Sequence, residues 1–227
     1  MINRDYILRI AEQLGRELSI LIGLRKRNKQ EEELIAIDNF FLRYIGMTSR
    51  FINSLSDEML LQTLSPLGKL NVESALWIGG LLHEEGNIYA DASNETESYY
   101  RYCKALFLLL EAYYQEHIPD ETIFIATIQT LILQLADYQL PLHIQRKLFR
   151  YYEQRGMYAR AENLLFETLE QNPTALLFED GNAFYQRLAL KSELDLQAGE
   201  LSHEEVEESQ AQLAQLQART DASTHEA

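Results

Sequence analysis

LFRYYEQRGMYARAENLLFETLEQNP, residues 148–173, is the stretch whose reading decides the fold. Leu148 and Tyr152 lie one helical turn apart and face inward, and Gly156 permits a left-handed or close-approach turn that a side chain would oppose. The first helix therefore stops there. Tyr158 plugs the top of a hairpin, and Ala161 is small enough to let two helices approach. Leu165 and Leu169 then continue the apolar stripe at spacings of four, until Pro173 ends the second helix.

This spacing is similar to that of a tetratricopeptide hairpin. It departs from the repeat at two points: Thr168 stands where alanine is favoured, and the tryptophan-leucine-glycine opening is missing. The resemblance covers about one hairpin. It implies a scaffold for protein binding, whose ligand is set by the surface residues grafted onto it.

The 227 residues suffice for one large or two small domains, and 46% apolar content is ample for a core. Only four prolines and ten glycines punctuate the chain, and no sustained apolar/polar alternation argues for sheet. The expected fold is all-α: a right-handed, tetratricopeptide-like stack of antiparallel hairpins. An N-terminal helical hairpin occupies 1–50, the repeat domain with its capping helices 51–219, and a disordered tail 220–227. The single cysteine, Cys103, excludes an intramolecular disulfide and a cysteine metal cluster, which fits a reducing cytoplasm. No N-terminal stretch has the order of a signal peptide, and polar Thr127, Gln129, Thr130 and Gln134 interrupt the longest apolar run, 123–135.

A net charge of −15 argues against nucleic acid, because phosphate neutralisation needs surplus Lys and Arg. The charge is uneven. Residues 1–30 carry seven basic against three acidic side chains, whereas 192–227 carry nine acidic against one basic, so the ends can attract each other or a partner.

Along the chain, Ile7, Ile10, Leu14, Leu18 and Leu21 stripe a helix over 5–24, and Leu34, Ile37, Phe41 and Tyr44 stripe its partner over 31–45. In the turn between them, Arg25, Lys26, Arg27 and Lys29 suit a helix C-terminus, and Glu31, Glu32 and Glu33 suit the next N-terminus. Ser56-Asp57-Glu58 caps a short helix, Pro66 and Gly68 break it, and Asn71 caps a helix from 72 to about 89. Within it, Glu84-Glu85-Gly86-Asn87 resembles the glycine turn of 148–173, with Trp77, Leu81 and Leu82 as core positions. After a loop over 91–97, Tyr99, Tyr102, Leu106, Leu109 and Tyr113 form one stripe and Cys103, Phe107, Leu110 and Tyr114 another, which places this helix at the centre of the fold. Pro119-Asp120 opens a helix through Leu135, and Pro141 suits the first turn of the next. A loop with Asp180-Gly181 precedes a helix over 182–198 stopped by Gly199. Ser202 with Glu205 is a capping box for a last helix to about Ala218.

Catalytic and metal constellations are thin. His83-Glu84-Glu85 lacks a second histidine four residues on, and Glu200 to His203 is the sole Glu-x-x-His, where a di-iron bundle needs two. Cys103 reads as a small core residue and Gly79-Gly80 as a close-packing device. No catalytic residue, metal or cofactor is expected. The candidate partner-binding residues are His143, Arg146 and Arg150, spaced by three and four opposite Ile144, Leu148 and Tyr152. In a tetratricopeptide array that face lines the groove and can pair with an acidic peptide segment. A second surface is the first helix, whose Leu18, Ile20, Leu21, Ile22 and Leu24 are broader than one neighbour needs.

Arg4-Asp5-Tyr6-Ile7-Leu8-Arg9-Ile10-Ala11-Glu12-Gln13-Leu14-Gly15, followed by Ser56-Asp57-Glu58 and Leu81-Leu82-His83-Glu84-Glu85-Gly86, resembles a bacterial family of uncharacterised helical proteins. The resemblance implies an all-helical fold with tetratricopeptide-like hairpins over most of the chain and a bacterial cytosolic origin. It carries no catalytic residues across. The expected function is a non-enzymatic adaptor for a protein or peptide with an acidic segment; the alternative is a structural homodimer self-associating through the N-terminal hairpin. Overall acidity argues against membrane binding.

Overall fold

The computed structural model describes residues 4–25 and 29–225. Among these there are twelve α-helices and no strand, in two compact units that meet in sequence between Leu140 and Pro141.

The first unit comprises α1 (Arg4–Arg25), α2 (Gln30–Ile45), α3 (Ser49–Ser54), α4 (Asp57–Thr63), a 3₁₀ turn (Pro66–Gly68), α5 (Val72–Asp91), α6 (Glu95–Gln115) and α7 (Ile123–Gln134). Its axis is the α5/α6 pair. Leu106, Leu108, Leu109 and Leu110 of α6 are all fully buried, so this helix is surrounded, as its two stripes predict. Close approach is achieved by omission of side chains. A Cβ on Gly79 would lie 2.6 Å from Leu109, one on Gly80 2.4 Å from Leu14, and one on Gly86 2.5 Å from the Tyr102 ring. Gly86 is thus a packing position inside an unbroken α5, and the glycine turn expected over 84–87 does not form.

The N-terminal hairpin belongs to this same unit: α1 packs on α5 and α7, and α2 on α5, where Tyr44 stacks on Trp77 with ring centroids 3.9 Å apart. The boundary expected at residue 50 is therefore not where the chain divides. All five stripe residues of α1 are buried. Of the basic turn, only the Lys29 side chain is described, paired with Glu32 at 2.7 Å; the side chains of Ile22, Arg25, Lys26 and Arg27 lie outside the described residues. Pro119 begins a tight turn that returns through Thr122, so α7 starts at Ile123, later than the sequence pattern suggests. The short α3, capped by Thr48, is not apparent in the periodicity at all.

The second unit comprises α8 (Leu142–Gln154), α9 (Tyr158–Gln171), α10 (Ala175–Leu188), α11 (Glu193–Ala198) and α12 (His203–His225). The α8/α9 hairpin forms as read: Gly156 is left-handed at φ 70°, Ala161 is fully buried at the seam, and Leu148, Leu165 and Leu169 face inward. Beyond Pro173 the structure differs from the expected loop and helix over 182–198. Thr174 caps α10, which runs through Asp180-Gly181; a Cβ on Gly181 would meet Leu165 and Leu213 at 2.9 Å, so the glycine serves close packing. That glycine admits two leucines and breaks nothing. The Ser202/Glu205 box is present in both directions, Glu205 N–H donating to Ser202 Oγ at 3.2 Å and Ser202 N–H to Glu205 Oε2 at 2.7 Å. Helix α12 then continues to His225, past the expected stop at Ala218 and into the tail expected to be disordered; no glycine or proline interrupts it between Ser202 and His225.

Candidate functional site

The sequence pattern singles out His143, Arg146 and Arg150 on α8. His143 is half-buried and Arg150 is exposed. Between them, Arg146 turns to α10, where its Nε and Nη2 both lie 2.7 Å from Asp180 Oδ2. Two turns further along, Arg187 of α10 makes a bidentate pair with Glu153 of α8, the Nη2 contact being 2.8 Å. Arg146 is therefore a tie between helices, and the three basic residues do not form one open cationic face.

A second constellation lies in the first unit, in an open cleft of about 680 Å³. It is lined by Leu34 and Asp38 of α2, Thr48 and most of α3, Glu85 and Tyr89 of α5, and Glu97 and Arg101 of α6. Glu85 is 4% exposed, and its carboxylate is held from several sides. Ser49 Oγ donates to Oε1 at 2.6 Å, Asn53 Nδ2 donates to Oε2 at 3.3 Å, and Arg101 Nε stands 3.3 Å from Oε2. Arg101 in turn pairs with Glu97, and its guanidinium carbon sits 5.1 Å from the centroid of the Tyr89 ring. Burial pushes the Tyr89 phenol above its ordinary range, the Glu85 charge adds to this, and Arg101 opposes it. Asp38 Oδ1 accepts from the backbone N–H of Ser49 at 2.8 Å and so fixes the start of α3. Two polar atoms here are buried without a hydrogen-bond partner, Asn53 Oδ1 and Arg101 Nε.

Two further buried groups are structural. Lys104 Nζ donates to the Leu55 carbonyl at 2.5 Å and stands 3.4 Å from Asp57, tying α6 to the start of α4. Cys103 is buried, and its thiol is pushed up to about 11 by desolvation, the reverse of what a nucleophile needs. Among the described residues, no three His, Cys, Asp or Glu side chains are grouped to hold a metal ion, and no helix is long and apolar enough to cross a membrane.

A family model matches residues 1–218, across both units. The chain belongs to that family, the family of unknown function DUF6483. No curated protein and no solved structure matches it. The DUF6483 match runs through α2, α3, α5 and α6, so the cleft lies inside the family region, as do α8 and α10.

The sequence pattern gives no notice of the cleft in this DUF6483 chain, because its residues come from four elements and share no spacing. One signal was available. Gly86 and Tyr102 each stand eight residues from Asn94, which caps α6, and Gly79 and Leu109 each stand fifteen, so positions equidistant from that cap face each other. Glu85 and Arg101, nine and seven residues from the cap, lie beside the Gly86/Tyr102 pair and meet across the same seam.

Proposed function

We propose that the chain is a non-enzymatic, tetratricopeptide-like scaffold that binds a protein or peptide partner. The observation that carries this reading is the register of α8 and α10. Arg146 meets Asp180 and Glu153 meets Arg187, an offset of 34 residues in both cases, while Phe149 meets Phe184 with ring centroids 5.2 Å apart. Constant offset means the two helices run parallel, and 34 residues is the tetratricopeptide period. Parallel first helices of successive hairpins are what such a stack requires. Thr168, the departure from the repeat pattern, is accommodated because its hydroxyl donates to the Leu164 carbonyl at 2.6 Å. The second hairpin would be α10 with α12, and α11 would be an insertion in its turn.

The partner surface on this reading centres on Arg150 and His143, with Arg146 supporting them through Asp180. An acidic segment remains the partner of choice, and the cytoplasm of a bacterium its setting; the net charge of −15 speaks against nucleic acid. Affinity capture from a bacterial lysate, comparing the intact chain with Arg150→Glu, tests this. A retained protein that is lost with the variant supports the adaptor, and identical retention by both sinks the acidic-segment reading.

Homodimerisation is the second reading, favoured by one observation. Ile35 and Leu42, seven residues apart on one face of α2, are 63% and 47% exposed and give that helix an apolar outer stripe. Sedimentation equilibrium decides it: a monomer at high micromolar concentration, or a dimer unaffected by Ile35→Asp with Leu42→Asp, removes it.

A further inference from the structure

The cleft between α2, α3, α5 and α6 has a charge layout that the scaffold reading does not use. Its lining carries three carboxylates, on Asp38, Glu85 and Glu97, against two guanidiniums, on Arg50 and Arg101. Glu85 and Arg101 are largely spent on each other, on Ser49 and on Glu97. Asp38 and Arg50 are left facing the same space from opposite elements, a negative group on α2 and a positive one on α3. Asp38 engages one oxygen at the start of α3, and Arg50 is exposed.

The floor of the cleft holds one buried acceptor and one buried donor without a hydrogen-bond partner, Asn53 Oδ1 and Arg101 Nε. Asn53 Nδ2 already donates to the Ser49 carbonyl at 3.0 Å, to Ser49 Oγ at 3.1 Å and to Glu85 at 3.3 Å, which fixes the orientation of the amide. Its Oδ1 is consequently held as an acceptor with nothing to accept, and a buried polar group left so is costly. A molecule that brings only acceptors, such as a phosphate or a simple carboxylic acid, leaves Asn53 Oδ1 unanswered and meets the surplus of carboxylates, and one that brings only donors leaves Arg101 Nε unanswered. One that brings N–H groups and a single negative charge matches both features. The volume of about 680 Å³ lies within the range of small-molecule sites.

We propose that this cleft binds a small zwitterionic amino compound of the free amino acid class, its ammonium group directed to Asp38 and the Asn53 amide oxygen and its carboxylate to Arg50. The site lies wholly in the first unit and shares no residue with the α8 surface, so it stands or falls separately from the scaffold.

The test is a thermal-shift screen of the intact chain with each proteinogenic amino acid, with putrescine as an ammonium-only probe and succinate as a carboxylate-only probe, followed by calorimetric titration of any hit. Two variants accompany it. Asp38→Asn keeps an oxygen for the Ser49 N–H while removing the charge, and Arg50→Ala removes an exposed side chain, so both should melt as the parent does without ligand. The expected result is saturable binding of at least one amino acid, weakened about tenfold or more by each variant, with neither control probe binding. Absence of saturable binding by every amino acid up to millimolar concentration overturns the proposal. So does binding that both variants retain, or binding of putrescine as tight as that of the amino acid.

Discussion

The two units solve the same problem, joining helices, by different means. In the first, α5 and α6 are pulled together over glycines, and the elements around them are fastened by polar side chains that are nearly closed off from water: Glu85 with Ser49, Asn53 and Arg101, and Lys104 with Leu55 and Asp57. In the second, the seams are mainly apolar, with a polar tie from the hydroxyl of the buried Tyr185 to Glu162 at 2.7 Å, and the Arg146–Asp180 pair is more open to water. The side chains of Arg146 and Asp180 are 33% and 31% exposed, against 13% and 5% for Arg101 and Glu85. An ion pair in water is worth little, whereas breaking one that is buried strands a charge. The first unit should therefore be brittle to polar substitution and the second tolerant of it.

The sharpest way to break this contrast is Glu85→Ala. It leaves Arg101 without its buried counter-charge and releases Ser49 and Asn53, and should cost about 4 kcal/mol. Urea unfolding followed by the fluorescence of Trp77, which is buried in this unit and is the sole tryptophan, reads the loss directly. A cost below about 1 kcal/mol would place Glu85 among ordinary surface acids.

Alkali provides a second probe of the first unit. The Cys103 thiol, ordinarily at 9.0, is raised to about 11 by burial, so the folded state holds its proton more tightly than the unfolded chain. Its contribution is complete below pH 9 and is lost as the pH rises towards 11. Urea midpoints across that interval should fall for the parent and fall less for Cys103→Ala.

Leu67 offers a gain. It is fully exposed and left-handed at φ 60° in the Pro66–Gly68 turn, a conformation that branched apolar residues resist and asparagine accepts. Leu67→Asn should stabilise the first unit by about 1 kcal/mol, measured by the same urea titration. The smallest effect belongs to the second unit: Arg187→Ala, which removes a pair whose arginine is 52% exposed, should cost less than about 1 kcal/mol by thermal melting.

What was legible in the sequence follows the same division. Stripes at helical spacing in α1, α2 and α6, and the glycine turn of α8/α9, are local signals and formed where expected. Gly86 and Gly181 were misleading because a glycine that ends a helix and one that admits a neighbouring side chain look alike in sequence; only the position of Tyr102, or of Leu165 and Leu213, separates them. The basic residues of α8 were visible as a spacing, but the acid that claims Arg146 lies 34 residues away on α10. The cleft was invisible for the same reason, since Ser49 and Glu85 are 36 residues apart and meet through packing that no local pattern encodes.

The most direct test of the account is charge reversal across α8 and α10, because the parallel register at 34 residues is what supports the repeat-like scaffold. Arg146→Asp and Asp180→Arg should each lower the melting temperature, and the double variant, with the pair restored in the opposite sense, should recover most of the loss. A double variant whose loss equals the sum of the two single losses would show that the residues are not partners, and would contradict the register on which the account rests.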